Sequence, residues 1–190
     1  MTPRKSVETE LSRERIMDTA RSLFVKEGYQ SVSMRKIAKE LDYTHGAIYY
    51  HFENKAELFY ALVKEDFSLL DGVLEKILRQ DFGEREKLRK ILLGFIEFGL
   101  THPNHYEIMF LTRDEDVQSH LKKGPDQSYE LFAHAIYELC GRKVNMKTIW
   151  SIFLSIHGFA AVYCRSGQTY EDVSDLAESH VSLLLKAIDM

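Results

Sequence analysis

Residues 33–58 read SMRKIAKELDYTHGAIYYHFENKAEL, and this stretch contains two short helical patterns separated by a brief link. Ser33 is a suitable N-cap residue for the first helix, and Thr44 is one for the second. The link is Asp42-Tyr43, and an aspartate tolerates the left-handed backbone region of a tight turn better than most residues. Two short helices joined in this way are the arrangement that a helix-turn-helix requires.

The second helix of this pair has a buried side and an exposed side. Ala38 is small enough to let the two helices cross closely, while Leu41 and Ile48 face a shared core that Phe52 closes. The exposed positions are His45, Gly46, Tyr49 and Tyr50. Core packing does not explain two exposed tyrosines on so short a helix, whereas contacts with base edges and phosphates do. From spacing alone, an ordinary helical hairpin remains the alternative.

Outside this stretch, apolar residues recur at helical spacing along almost the whole chain. Three prolines and ten glycines leave long uninterrupted stretches, and no segment alternates polar and apolar residues as a strand would. The sequence therefore predicts an all-α fold, with a short helix as far as Lys123 and further helices over residues 12–27, 54–80, 84–101, 103–112, 125–140, 146–166 and 171–188.

The composition is that of an ordinary globular protein. The chain has 190 residues, of which 45% are hydrophobic and 28% are charged, and this balance argues against disorder. No apolar run approaches the ~20 residues that cross a bilayer, and no apolar segment follows the charged N-terminus as in a secretion signal. The two cysteines, Cys140 and Cys164, form no CxxC pair. We therefore expect a soluble protein of the reducing cytoplasm.

The charge distribution does not decide whether the partner is a nucleic acid. The net charge is −4, which by itself does not favour DNA. Residues 1–55 carry ten Lys and Arg against eight Asp and Glu, a net charge of +2, so residues 56–190 carry −6. An excess of this size is smaller than the basic stripe of a typical DNA-binding surface. The prediction of DNA binding therefore depends on the helix-turn-helix pattern of residues 33–58 and not on the charge.

Four parts of the N-terminal third form one long pattern, namely Ile16 to Phe24 with Gly28-Tyr29 after it, Ile37-Ala38, Thr44 to Phe52, and Asn54 to Leu58. This pattern resembles the DNA-binding domain of the tetracycline-repressor (TetR) family of bacterial regulators. The detailed resemblance covers residues 12–60, and beyond them only the length and the all-helical pattern are similar. Asp42 departs from the family, which usually has glycine at this turn.

The resemblance implies a one-component transcriptional regulator with two domains. A helix-turn-helix DNA-binding domain with an N-terminal arm would span residues 1–55, and a helical-bundle domain for ligand binding and dimerisation would span residues 56–190. Such a protein is expected to be a repressor that binds a palindromic operator as a homodimer and is released by a small, lipophilic effector. The alternative is a dimeric DNA-binding regulator without a small-molecule effector, controlled by a partner or acting as an activator.

The resemblance also implies roles for individual residues. The positions that approach bases in the major groove are Arg35, His45, Gly46, Tyr49 and Tyr50. The positions that meet phosphates are Ser33, Thr44, His51 and Lys55. The helix N-terminus after Thr44 favours an anion, and Arg4-Lys5 forms a short basic arm. For His51, a packed histidine bonded to the backbone is the alternative.

Aromatic residues cluster over residues 90–163, in the helices of the second domain. Most of them belong in a core, but together they can also line an apolar cavity with a few polar groups. The candidates for this lining are Phe95, Phe98, Phe110, Phe132 and Phe153. His157 lies in an otherwise apolar helix, where it is either a polar handle for the effector or a core histidine bonded to a neighbour.

The last two helices are the candidates for a dimer interface. Small residues that would let a partner helix approach recur at Ser151, Ser155, Gly158 and Val162. The final helix adds the apolar positions Leu176, Val181, Leu184, Leu185 and Ile188. A single amphipathic helix can also bury such residues within its own chain, so this interpretation rests partly on the resemblance.

The sequence offers little support for a metal site or a catalytic site. His102, His105 and His120 have no cysteine nearby and do not form a four-ligand pattern, so no metal or other cofactor is expected. The acidic run Asp114-Glu115-Asp116 is expected to be a solvated loop. There is no nucleophile elbow, phosphate-binding loop or Ser-His-Asp arrangement, so an enzyme or a carrier that uses the cavity is the least favoured class.

Overall fold

The computed structural model describes residues 11–112 and 124–188, and every regular element within these ranges is helical. The all-α prediction is therefore confirmed. The helices are α1 (Arg13–Glu27), α2 (Met34–Glu40), α3 (His45–His51), α4 (Lys55–Leu78), α5 (Glu84–Thr101), α6 (Pro103–Tyr106) with a π-helical continuation (Glu107–Leu111), α7 (Gly124–Leu139), α8 (Met146–Tyr163) and α9 (Tyr170–Ile188). None of these described helices is both long and apolar enough to cross a membrane.

The predicted helix limits agree with the observed ones to within a few residues. One difference concerns residues 79–80, which were expected to belong to the helix over residues 54–80. α4 already ends at Leu78, and Gly83 occupies the N-cap position of α5. Some predictions fall outside the described residues, namely those for Arg4-Lys5, Asp114-Glu115-Asp116, His120 and the short helix to Lys123.

Helix starts in the N-terminal half are set by capping side chains. Ser12, Ser33 and Asn54 each accept a hydrogen bond from the backbone amide three residues further on, at 3.2, 3.2 and 2.8 Å. Each bond satisfies an amide that has no partner within the helix. Thr44 occupies the N-cap position of α3 as predicted, but its side chain makes no capping hydrogen bond.

The turn between α2 and α3 has the predicted left-handed backbone. Asp42 has a φ of 60°, one of two positive values at non-glycine positions in the described chain. The amide of the next residue, Tyr43, donates to the carbonyl of Ala38 at 2.9 Å, which closes the end of α2. The aspartate thus takes the place of the usual glycine, and the two helices keep the short link that a helix-turn-helix needs.

The hydrophobic interior forms two clusters, and α4 belongs to both. Its first half, with Leu58, Leu62 and Phe67 among its buried residues, packs in the cluster formed by α1, α2 and α3. Its second half, with Leu74, packs in the cluster formed by α5 and the C-terminal helices. A domain boundary at residue 55 therefore falls at the start of a helix that serves both cores.

A buried ion-pair network joins α1, α4 and α6 between the two clusters. Arg21 Nη2 donates to Asp66 Oδ1 at 2.7 Å, and His105 Nδ1 lies 2.8 Å from the same oxygen. The side chain of Asp66 is fully buried and that of Arg21 is 6% exposed. Arg21 also pairs with the more exposed Asp18 and Glu65. The network ties α1 to α4 and to α6.

α5 lies at the centre of the C-terminal half, where α8 crosses it at Gly99. A methyl group at Gly99 would lie 3.0 Å from Cβ of Ala160 and 3.1 Å from Cδ2 of Tyr106. The missing side chain therefore allows α5 and α8 to approach closely. This contact holds α8 in register against α5, and α8 in turn forms one wall of the cavity described below.

Candidate nucleic-acid interface and ligand cavity

The exposed face of α3 carries the residues expected to meet DNA bases. Ile48 is the one fully buried residue of this helix, and it anchors α3 to the N-terminal core. On the other side, His45, Gly46 and Tyr49 are exposed, and Tyr50 is 88% exposed. The rings of His45 and Tyr49 contact each other edge to face at 4.4 Å between centroids. The helix thus presents a continuous surface of hydrogen-bonding and aromatic groups.

The start of α2 adds a cationic side chain to this face. Ser33 and Arg35 are both exposed at the first turn of α2. Arg35 and His45 line the same shallow depression, whose floor is formed by the turn that contains Asp42. A guanidinium group in such a position can contact guanine through two hydrogen bonds.

Two of the expected phosphate contacts have partners within the chain. Lys55 Nζ donates to the carbonyl oxygen of Tyr29 at 2.9 Å and lies 4.0 Å from the centroid of the Tyr29 ring. His51 is half-buried, and its ring contacts that of Tyr50 edge to face at 5.4 Å. Lys55 therefore joins the start of α4 to the loop after α1, in addition to any contact with DNA.

Sequence reasoning missed Arg13, which holds the C-terminal end of α3. Its Nη1 donates to the carbonyl oxygen of His51 at 2.6 Å, and its guanidinium lies 3.9 Å from the centroid of the Phe52 ring. A cation at this position also interacts favourably with the negative end of the helix dipole. The two partners are 38 residues apart in the sequence, and no local pattern could have indicated the contact.

A cavity of about 290 Å³ lies in the C-terminal half, bounded by α4, α5, the π-helical segment, α7 and α8. It contains four of the five phenylalanines expected there, Phe95, Phe110, Phe132 and Phe153. The other lining residues are Phe67, Leu70, Asp71, Val73, Leu74, Ile91, Met109, Ser128, Tyr129 and Trp150. Five of the lining residues belong to α4, the helix whose first half packs in the N-terminal cluster.

Phe98 was expected to line this cavity, and the structure corrects that expectation. The side chain of Phe98 is buried in the N-terminal cluster and its ring stacks on that of His102 at 5.0 Å between centroids. Phe98 lies almost one turn beyond Phe95 on α5 and about 60° around the helix from it, and it packs in the N-terminal cluster while Phe95 packs in the C-terminal one. Its role is to join α5 to the DNA-binding half.

His157 also lies outside the cavity wall, contrary to its expected role as a polar handle. Its Nδ1 is 2.5 Å from the hydroxyl oxygen of Tyr106, and its ring stacks on that of Phe153 at 5.8 Å. Burial lowers the pKa of His157, so the neutral imidazole is favoured. The alternative of a core histidine bonded to a neighbour is therefore the one that the structure supports.

The lowered pKa of His157 predicts a loss of stability in mild acid. Because this pKa is lower in the folded than in the unfolded chain, the stabilisation is complete above the unfolded value of about 6.5 and is lost as the pH falls below it. Replacing His157 with asparagine, which keeps a hydrogen-bond partner for Tyr106, should reduce this loss. Urea denaturation of both proteins at pH 7.5 and pH 5.5 measures the difference. Equal losses in the two proteins would exclude His157 as its source.

The polar part of the cavity wall is formed by α4 and α7. Ser128 Oγ donates to Asp71 Oδ2 at 2.8 Å, across a separation of 57 residues. Burial raises the pKa of Asp71, and the neighbouring charge of Glu75 raises it further. Neither Asp71 nor Ser128 was predicted, because each is an ordinary polar residue at a helix position where the sequence does not show which side is covered.

The predicted dimer residues divide into an exposed group and a buried group. Gly158, Ser151, Val162 and Leu176 are exposed, with Val162 at 69%. Ser155 is half-buried and its Oγ lies 3.1 Å from Nε2 of His180. Leu154 and Leu183 are also exposed, at 48% and 64%, and the prediction missed them.

Val181 and Leu185 are corrected, because both are buried in the C-terminal core of their own chain. Leu184 and Ile188 are half-buried against the same core. The stripe of α9 that carries these residues faces α5, with which α9 makes its most extensive packing. The unpartnered face of the last two helices instead consists of Leu154, Gly158 and Val162 on α8 with Leu176 and Leu183 on α9.

The histidines of α6 have structural partners rather than a shared ligand. His105 bonds to Asp66, and His102 stacks on Phe98. Over residues 11–112 and 124–188, no group of three or more His, Cys, Asp or Glu side chains is arranged to hold a metal ion.

Comparisons with known proteins match part of the chain in sequence and most of the chain in fold. Residues 16–62 match the family described as bacterial regulatory proteins, tetR family. An HTH-type transcriptional regulator of Staphylococcus aureus (strain USA300) is 29% identical over 134 residues, which cover 64% of this chain and 72% of that protein.

Two solved structures illustrate the likeness in fold. The transcriptional regulator FadR from Bacillus subtilis, solved in complex with stearoyl-CoA, has a TM-score of 0.77 at 21% identity, over 92% of this chain and 98% of that one. A regulatory protein of the tetR family from Rhodococcus RHA1 has a TM-score of 0.75 at 19% identity, over 95% and 98% of the two chains. At these identities the likeness establishes the fold.

Proposed function

We propose that this chain, a TetR-family transcriptional regulator, is a repressor that binds a palindromic operator as a homodimer and is released by a small lipophilic effector. The observation that carries the proposal is the double role of α4. Its first half forms part of the core beneath the recognition helix α3, and its second half forms a wall of the cavity. A ligand that displaces this wall acts directly on the support of the DNA-binding face.

The proposed DNA contacts lie on α3 and the first turn of α2. Arg35, His45, Gly46, Tyr49 and Tyr50 would meet base edges, and Ser33, Thr44, His51 and Lys55 would meet phosphates. In a homodimer, two α3 helices about 34–36 Å apart enter successive major grooves on one side of the duplex. This symmetry requires an operator whose two halves are nearly palindromic.

We expect Tyr49→Ala to lower the preference for operator over random DNA by about tenfold, since one base contact contributes about 1–3 kcal/mol of discrimination. Lys55→Ala should instead weaken binding to both kinds of DNA similarly and reduce the dependence on salt. A duplex selected from random sequence by the protein serves as operator, and fluorescence anisotropy at several salt concentrations measures both effects.

Lys64→Ala is the control for these variants, because Lys64 is an exposed lysine on α4, more than two turns beyond Lys55. It should change neither the operator preference nor the salt dependence. Wild-type binding by the Tyr49 and Lys55 variants would contradict the assignment of this face to DNA.

Release by an effector has a thermodynamic signature that distinguishes it from control by a partner. A ligand that binds the DNA-free form about a hundredfold better than the DNA-bound form has a coupling free energy of about 2.7 kcal/mol per site. Operator DNA must then weaken ligand binding by the same factor. Titrations of a ligand with and without operator measure this factor, and equal affinities for every cavity ligand would favour the regulator without an effector.

A further inference from the structure

The wall of the ligand cavity carries one ionisable acid and no basic side chain among its described residues. Asp71 is that acid, and apart from Ser128 and Tyr129 the other lining residues are apolar or aromatic. A ligand with an anionic group would therefore meet no positive charge in this wall and would be repelled by the carboxylate. A neutral ligand would leave the carboxylate without a counter-charge in apolar surroundings.

Asp71 has no cationic partner in the described part of the chain. Its carboxylate accepts a hydrogen bond from Ser128 at 2.8 Å and is repelled by the charge of Glu75, one turn further along α4. Burial of the carboxylate disfavours its ionised form, as the raised pKa of Asp71 reflects. A cation bound nearby would offset this cost.

Three aromatic rings pack against one another in the same cavity wall that carries Asp71 and Ser128. The ring of Tyr129, the residue after Ser128, meets those of Trp150 and Phe153 edge to face at 4.9 and 5.4 Å between centroids. Trp150 and Phe153 stack on each other at 5.3 Å. A ring face that borders the cavity attracts a cation through its quadrupole.

We propose that the effector is a lipophilic cation, an amine or quaternary ammonium compound with an aromatic or alkyl body, whose positive charge lies beside Asp71. The apolar wall holds the body of the ligand, the carboxylate and the ring faces that border the cavity hold the charge, and the cavity of about 290 Å³ limits the ligand to a compact molecule. This inference rests on the proposed function, in which the cavity is the effector site.

Three compounds of one shape and different charge test the inference. Phenyltrimethylammonium, tert-butylbenzene and benzenesulfonate each attach a compact tetrahedral group to a phenyl ring, with charges of about +1, 0 and −1. The chain contains one tryptophan, and because Trp150 lies in the cavity wall its fluorescence reports occupancy in the full-length protein. We expect the ammonium compound to bind at least about tenfold more tightly than tert-butylbenzene, and benzenesulfonate to give no saturable change.

Asp71→Asn removes the charge and keeps the shape, and it should abolish the preference for the ammonium compound while leaving tert-butylbenzene binding unchanged. Unchanged tert-butylbenzene binding also shows that the variant is folded. Glu75→Gln is the matched control, because Glu75 is an exposed acid on the same helix outside the cavity wall, and it should retain the preference. Equal binding of the ammonium and neutral compounds by the wild type, or a preference that survives in Asp71→Asn, would overturn the inference.

Operator binding in the presence of each compound separates this inference from the proposed function. Release of operator by the ammonium compound in the wild type but not in Asp71→Asn is the expected result. Release by tert-butylbenzene but not by the ammonium compound overturns the choice of a cation and leaves the proposed function intact. Binding of the ammonium compound that depends on Asp71 but never alters operator affinity overturns the effector role and leaves the cation site intact.

Discussion

Replacing Asp66 with alanine is expected to lower the free energy of unfolding by about 3–5 kcal/mol, the usual cost of removing one partner from a buried ion pair. Asp66 is fully buried, and its Oδ1 accepts hydrogen bonds from both Arg21 and His105. Alanine would leave the guanidinium of Arg21 buried, with only the exposed ends of its network as partners. A loss of this size is a large fraction of the stability of a typical domain.

Urea denaturation followed by circular dichroism measures this loss, and Glu65→Ala is the matched control. Glu65 pairs with the same guanidinium, at 3.0 Å, but its side chain is 45% exposed, so its removal should cost no more than about 1 kcal/mol. Asp66→Asn, which keeps a hydrogen-bond acceptor and loses the charge, should lie between the two. A loss below about 1 kcal/mol for Asp66→Ala would show that the pair contributes little to folding.

Gly158→Phe is expected to convert the proposed homodimer to a monomer and to weaken operator binding by about 10²–10⁴-fold, because each half-site then binds without the effective concentration of its neighbour. Gly158 lies in the middle of the exposed apolar face of α8 and α9, between Leu154 and Val162. A Cβ atom added there meets no atom of a neighbouring element within 4 Å. The substitution therefore acts on the interface and leaves the fold of the monomer unchanged.

Gly72→Phe provides a control with the same change of residue. Gly72 is also exposed in the middle of a helix with no atom within 4 Å of an added Cβ, but it belongs to α4 and not to α8 or α9. Light scattering should show a dimer for the wild type and for Gly72→Phe and a monomer for Gly158→Phe. A dimer of Gly158→Phe would place the interface elsewhere on the molecule.

The helix-turn-helix could be predicted from the sequence because its signals are local. The caps at Ser33 and Asn54 act three residues away, and the turn at Asp42 depends on the backbone of one residue. The exposed positions of α3 follow from the single buried residue, Ile48, that fixes its orientation. Contacts of this range are encoded within the stretch that forms them.

The cavity could be predicted only in part, because it depends on which helices pack side by side. The richness in aromatic residues correctly indicated that Phe95 and Phe153 line a cavity. The polar part of the wall, however, is a hydrogen bond between Asp71 and Ser128, which are 57 residues apart in the sequence. His157 was a reasonable candidate from its apolar surroundings. The sequence could not show that Nδ1 of His157 is already hydrogen-bonded to the hydroxyl group of Tyr106, 51 residues earlier.

The predicted set of dimer-interface residues was wrong in part for a related reason. An amphipathic helix has one apolar stripe, and the sequence does not state whether that stripe meets its own chain or a partner. For α9 the stripe with Val181 and Leu185 meets α5 of the same chain. The exposed Leu176 and Leu183 lie off that stripe, and only the packing of α9 shows that they are left uncovered.

The packing of α4 in both hydrophobic clusters also limits how the N-terminal helices can be joined to a different C-terminal domain. Phe98, Ile108 and Met109, all from the second half of the fold, complete the core of the DNA-binding half. A hybrid protein that joined residues 1–55 to a foreign C-terminal domain would lack both α4 and these three side chains. The hydrophobic core of its N-terminal domain would then be exposed to solvent. A functional graft has to carry α4 and an apolar cap that replaces these three side chains.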